Sequence, residues 1–98
     1  MQFLVLARRL TEKFTEEQFA PILAPEAERV RELYTEGQLR AIWSRGDVLG
    51  ACFMLECADL AEAQSILKTL PLNASGMLEA QIIPLRGYRG FAPLASLK

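Results

Sequence analysis

The chain reads as an α+β domain of order strand, helix, strand, strand, helix, strand. Three observations carry that reading. Short apolar segments alternate with two amphipathic stretches, helix-start signals stand at Thr15 and Asp59, and a Gly46-Asp47 turn separates the two middle strands.

The first strand runs from Gln2 to Arg8. Phe3, Val5 and Ala7 project to one face, Leu4 and Leu6 to the other. Thr15-Glu16-Glu17-Gln18 then has the form of a capping box, with Thr15 as N-cap and Gln18 placed to reach back. Pro21 and Pro25 suit a first helical turn better than a helix interior, so the pattern predicts a short turn followed by a main helix from about Pro25 to Glu36. Phe19, Ile22, Leu23, Val30, Leu33 and Tyr34 form its apolar stripe, which places the Tyr34 ring in the core, and Gly37 supplies the stop.

The second strand is expected over Gln38 to Arg45 and the third over Val48 to Cys57. A two-residue turn at Gly46-Asp47 would set Arg45 against Val48 and Trp43 against Gly50, on the face shared with Cys52, Met54 and Glu56. Asp59 caps the second helix with Glu62 three residues on. Leu60, Ala63, Ile66, Leu67 and Leu70 make its buried stripe, and Pro71 ends it. A loop over Asn73 to Gly76 leads to the last strand, Met77 to Leu85. Beyond it, residues 87–98 form an aromatic but irregular tail, expected to pack on a neighbouring subunit. Two strand–helix–strand units around a central hairpin give the ferredoxin-like βαββαβ fold, an antiparallel sheet of order 4-1-3-2 with both helices on one face.

The other face of that sheet is also apolar. The first strand has the rows Phe3, Val5, Ala7 and Leu4, Leu6, and the third the rows Leu49, Ala51, Phe53, Leu55 and Val48, Gly50, Cys52, Met54; whichever face is bare in water would exceed the few hundred Å² of apolar patch that monomers normally show. The chain has no further element to cover it, so a second copy is expected on it through a two-fold contact.

Ninety-eight residues make a single domain, 1–98. The net charge of −1, from 11 basic and 12 acidic residues in mixed order, offers no field for nucleic acid or an anionic membrane. No apolar run approaches the roughly 20 residues that span a bilayer, and no signal peptide is evident, so a cytoplasmic location is expected. Cys52 and Cys57 fall on opposite faces of one strand and read as reduced core residues. With no histidine in the chain, Ser-His-Asp and Cys-His catalysis and His-ligated metal sites are excluded, and no P-loop or GxGxxG motif is present. No metal and no cofactor is expected.

Several short motifs carry a family resemblance: Glu36-Gly37 followed by Arg40 and Trp43, an apolar strand ending in Glu56, Leu70-Pro71-Leu72, and Ile82-Ile83-Pro84-Leu85. Over roughly Leu33 to Leu85, and more loosely throughout, the chain resembles the muconolactone isomerase-like group of dimeric α+β barrels. The resemblance implies ferredoxin-like protomers whose sheets pair into a barrel, as a homodimer or a larger ring. It also implies a cofactor-free isomerase-type reaction that moves a double bond in a small carboxylated lactone.

Glu56 is the candidate catalytic acid/base, because a carboxylate closing an apolar strand can be shifted by desolvation. Substrate-binding candidates are Arg8, Tyr34, Arg40 and Trp43. Arg40 offers a bidentate clamp for a carboxylate, although its register sets it on the face opposite Glu56 unless the hairpin carries an extra residue. Trp43 offers a flat wall and one N–H donor, and Tyr34 a hydroxyl. Arg8, in phase with Leu4 and Leu6, calls for a partner: Asp47 across the sheet or an anionic ligand. Tyr34, Arg40 and Glu56 should lie towards one end of the protomer, and Arg8, Arg45 and Asp47 towards the other. The expected function is binding, with possible turnover, of an unsaturated acidic metabolite; the alternatives are a non-catalytic homo-oligomeric module and a cofactor-free monooxygenase.

Overall fold

The computed structural model describes residues 1–91, and the far end of the tail lies outside the described residues. Strands β1 (Gln2–Arg9), β2 (Leu39–Ser44), β3 (Gly50–Glu56) and β4 (Leu78–Leu85) form one antiparallel sheet in the order β2-β3-β1-β4, which is the expected order read from the other edge. Helix α1 (Glu16–Thr35) lies between β1 and β2, helix α2 (Leu60–Lys68) and a short turn of helix, α3 (Pro71–Ala74), lie between β3 and β4, and a single 3-10 turn (Arg89–Phe91) follows β4.

The helix-covered face is the row Phe3, Val5 and Ala7, which is fully or almost fully buried. Phe3 pairs with Leu55 and Val5 with Phe53 on β3, and on the other side with Pro84 and Ile82 on β4. Leu33, Leu39, Leu70 and the α2 stripe residues Ala63, Ile66 and Leu67 close over these side chains. A second cluster, Phe19, Leu72 and Met77, holds the N-terminal half of α1 to α3.

Helix α1 starts where the capping box places it: the Gln18 N–H donates to Thr15 Oγ1 at 3.3 Å, and the Thr15 N–H donates to Gln18 Oε1 at 2.8 Å. It does not break at the prolines. Pro21 and Pro25 both lie inside one continuous helix of 20 residues, not before a separate main helix. Both are exposed and four apart, so the two missing N–H donors fall on the same outer side, where water can reach the carbonyls of Glu17 and Pro21. At the other end Gly37, at φ +83°, makes the left-handed turn, with Gly37 N–H donating to Tyr34 O and Gln38 N–H to Leu33 O, a Schellman closure. Tyr34 does not reach the core: it is 64% exposed, because the stripe buries Leu33 at that level and turns its neighbour outward. Leu60, the first residue of α2, is exposed for the same reason of position.

The central hairpin is longer than a two-residue turn. The Arg45 N–H donates to the Gly50 carbonyl, Trp43 pairs with Cys52, and β3 starts at Gly50. Two contacts take the intervening residues out of the ladder. The Arg9 N–H, from β1, claims the Leu49 carbonyl at 2.9 Å, and the Asp47 carboxylate folds back on the Arg45 guanidinium at 2.9 and 2.6 Å. The slip is by two residues, so Trp43 keeps its expected face, shared with Cys52 and Met54. A bulge at Arg40 does change the phase: Leu39 opposes Leu55 while Ala41 opposes Met54. The extra residue lets both Leu39 and Ile42 share the helix-facing side, which an unbroken alternation forbids.

The open face carries Leu4, Leu6, Cys52, Met54, Trp43 and Ile83, and no helix or strand among the described residues lies over it. Trp43 is 56% exposed. Gly50 stands where β3 runs tightest against β1, and a Cβ there would overlap the Ala7 carbonyl. Gly50→Ala is therefore expected to destabilise the fold by about 2 kcal/mol or more, read as a lower urea midpoint at unchanged slope.

Candidate functional site

The residues singled out in the sequence do not converge. Arg8 lies at the hairpin end of the sheet, where its guanidinium donates to Glu12 at 3.0 and 3.1 Å and to Glu79 at 3.3 Å. Asp47 is not its partner, being held by Arg45. The Arg8 guanidinium in turn pulls the Glu12 carboxyl down to about 2. Glu56 sits at the opposite end of the open face, next to Gln2, with its carboxylate 3.3 Å from the terminal ammonium of Met1 and half-exposed. Arg40, at the bulge near that end, is exposed and has no hydrogen bond or ion pair among the described residues. Tyr34 is on the surface. The expected split between the two ends of the protomer holds, but no cavity gathers these five side chains.

A cavity does exist, under α1. It has a volume of about 230 Å³ and lies between the middle of that helix and the hairpin end of the sheet, walled by apolar side chains such as Val30, Phe53 and Leu78. Three polar side chains line it: Arg9, Glu26 and Ser44. Each arrives there by simple periodicity. Arg9 is the residue after Phe3, Val5 and Ala7 in the helix-facing row of β1, because the strand runs one residue further than Arg8. Glu26 occupies the helical position between Leu23 and Val30 in the buried stripe of α1, and Ser44 follows Ile42 on β2.

Glu26 is half-buried. Its Oε1 accepts the Leu72 N–H at 2.9 Å, a donor left free at the start of α3 where Pro71 opens the turn. Burial pushes the Glu26 carboxyl above the usual range, while the Leu72 N–H and the positive charge of Arg9 pull the other way and do not cancel it. The Arg9 guanidinium lies over the Phe19 ring, 5.6 Å from its centroid. No carboxylate of the described residues forms an ion pair with Arg9, so its hydrogen-bonding edge remains available. Trp43 is the one expected site residue near this place. It lines a shallower depression at the β2 edge that shares Ala27, Val30, Ile42, Ser44 and Ala51 with the cavity.

A fixed cation, a carboxyl poised to hold or release a proton, and a hydroxyl around an apolar space suit the binding of a small anion and acid/base work upon it. Neither Arg9 nor Glu26 was among the expected site residues. The signal for both was nevertheless in the sequence, as charges standing in phase with otherwise apolar rows.

A ferredoxin-like protomer with a half-open polar-lined cavity between sheet and helix is the class of protein defined here. The chain belongs to the muconolactone delta-isomerase family, whose model matches residues 1–90. Among solved structures it is similar to muconolactone isomerase, at 19% identity over 91% of this chain and 92% of that one, with a TM-score of 0.76. It is also similar to the 5-chloro-2-hydroxyhydroquinone dehydrochlorinase of Burkholderia phenoliruptrix AC1100, solved in complex with 2,5-dihydroxybenzoquinone. That likeness is 12% identity over 92% of this chain and 98% of that chain, with a TM-score of 0.71. At these identities the likeness is one of fold. No curated protein sequence matches the chain.

The position of Glu26 has a consequence for pH dependence. A carboxyl whose folded-state pKa is raised favours the folded state below its ordinary value of 4.5, and that contribution is lost as pH rises through the raised value. Glu26→Gln keeps an acceptor for the Leu72 N–H without the charge. The variant is expected to equal or exceed the parent in stability at pH 7, with the difference shrinking towards pH 4, as measured by urea unfolding at each pH.

Proposed function

We propose that the protein binds a small unsaturated carboxylic acid in the cavity beneath α1 and catalyses migration of its double bond by proton transfer. The observation that carries this reading is that the half-buried Glu26 and Arg9, whose guanidinium has no carboxylate partner among the described residues, line one apolar cavity. Membership of the muconolactone delta-isomerase family supports the reaction class.

Arg9 holds the substrate carboxylate, bidentately where the geometry permits. Glu26, ionised, takes a proton from the carbon whose C–H is acidified by conjugation. The electron pair shifts through the double bond, and the carboxyl then returns the proton at the far end of the allyl system. One proton leaves and one arrives, so no electrons are exchanged with a cofactor. A raised carboxyl pKa brings the base closer in strength to the carbon acid, which favours the transfer. The Leu72 N–H fixes one carboxyl oxygen and leaves the other to work.

The open face of the sheet supports a second part of the reading: two copies pair through it, as the sequence suggests. Leu4, Leu6, Met54 and Ile83 would be withdrawn from water, together with Trp43, while Arg8 and Glu56 stand at opposite ends of the patch. Burial of side chains of this size contributes about 1.5–3 kcal/mol each when complete, less the cost of association.

Turnover is followed as deuterium uptake at carbon by NMR, with small carboxylated butenolides in heavy water. Glu26→Gln is expected to lower kcat by about 10²-fold or more, and Arg9→Gln to raise KM. Glu56→Gln is the comparison on the other face of the sheet: a matching loss there, with Glu26→Gln active, would return the proton-carrying role to Glu56. Binding without exchange would make the protein a non-catalytic module, and oxygen uptake with phenolic acids would make it a monooxygenase. For the assembly, Leu6→Asp is expected to convert the oligomer to a monomer in size-exclusion chromatography with light scattering, and an unchanged mass would remove the sheet-to-sheet contact.

A further inference from the structure

A second depression adjoins the cavity and shares Arg9 and Leu23 with it. Its volume is about 550 Å³, and it extends from Arg9 towards the start of α1. Phe14 and Phe19 meet edge to face there, with centroids 6.0 Å apart, and Ala20, Leu23 and Leu49 complete an apolar wall. Among the described residues the only other charge on it is Glu16, which is exposed in the first turn of α1. Arg9 therefore stands between two apolar compartments, and its stacking on Phe19 keeps the guanidinium at that junction.

We infer that the ligand is a branched acid: its carboxylate sits on Arg9, its unsaturated arm enters the Glu26 cavity, and a second, neutral apolar arm lies on the Phe14–Phe19 wall. This rests on the proposed role of Arg9 as the anion's anchor. The carboxylate sets the branch point. An arm reaching both compartments from one anchored group must leave the carbon beside the carboxylate, because Arg9 is where the compartments meet. The negative charge of Glu16 disfavours a second anionic group on that arm, and the aromatic edge favours a ring.

The probes are 4-pentenoate and 2-benzyl-4-pentenoate, which differ only in a benzyl group beside the carboxylate, titrated calorimetrically into the full chain. The benzyl acid is expected to bind about tenfold or more tighter, as befits burial of one aromatic ring. Ala20→Trp, which fills the second depression from the exposed side of α1, is expected to collapse that ratio towards one. Should the variant fail to fold, amide shifts at Phe14 and Ala20 on adding the benzyl acid to the parent protein report the same occupancy. Equal affinities for the two acids, with both lost in Arg9→Gln, would overturn the second arm while leaving the anchor in place. Binding of neither acid would remove the anchor and the inference with it. A change of oligomeric mass in Ala20→Trp without any benzyl advantage in the parent would assign the depression to a second copy of the chain and overturn the inference.

Discussion

The central β1–β3 pair carries the rest of the structure. Phe3, Val5 and Ala7 on one strand and Leu55, Phe53 and Ala51 on the other lie directly opposite in register, and both helices, α3 and the outer strands assemble around that double row. Burial of so many apolar side chains is the dominant favourable term in a domain of this size. It also dictates the secondary irregularities. The Arg40 bulge lets Leu39 enter this core while Ile42 lines the cavity on the same side of the sheet, and Gly50 is glycine because the two backbones approach too closely at the hairpin end for any side chain.

Against that background, two charges standing in phase with apolar rows are costly unless they are used or compensated. Arg8, on the open face, is compensated by Glu12 and Glu79, both largely exposed, and such a surface network contributes little to stability. Arg9 and Glu26, on the covered face, are less well provided for. The carboxyl has one backbone donor and the guanidinium an aromatic ring, while the cavity they line is filled by no side chain of the described residues. An arrangement that leaves polar groups partly satisfied in an apolar setting is more easily explained by a ligand than by folding.

Helix α1 links these facts. Its capping box fixes the start and its Schellman turn the end, so the stripe that carries Phe19, Leu23, Glu26, Val30 and Leu33 runs unbroken across the sheet. The prolines are tolerated because they face water. Glu26 also ties α1 to α3 through the Leu72 N–H, so the carboxyl at the cavity is held by the same contact that orients the short turn before β4.

Much of this was legible in the sequence. The element order, the sheet order, both N-caps, the Gly37 stop, the alternation of β1 and β3 and the family followed from periodicity, capping chemistry and short motifs, which are local properties of the chain. Local reasoning also misled at definite places. It ended β1 at Arg8, one residue before the arginine that reaches the cavity; it divided α1 at Pro25, which hid Glu26 in a supposed helix start; and it offered Asp47, beside an anionic ligand, as the partner of Arg8. Tertiary structure decided those matters because each depends on a partner remote in sequence: the Leu49 carbonyl extends β1, the Leu72 N–H receives Glu26, and Arg45 takes Asp47. The chain alone determined which side chains of β1 and β3 share a face. Which of them meet around an empty space was settled only when helix and sheet were brought together, since a cavity belongs to the packing and to no single segment.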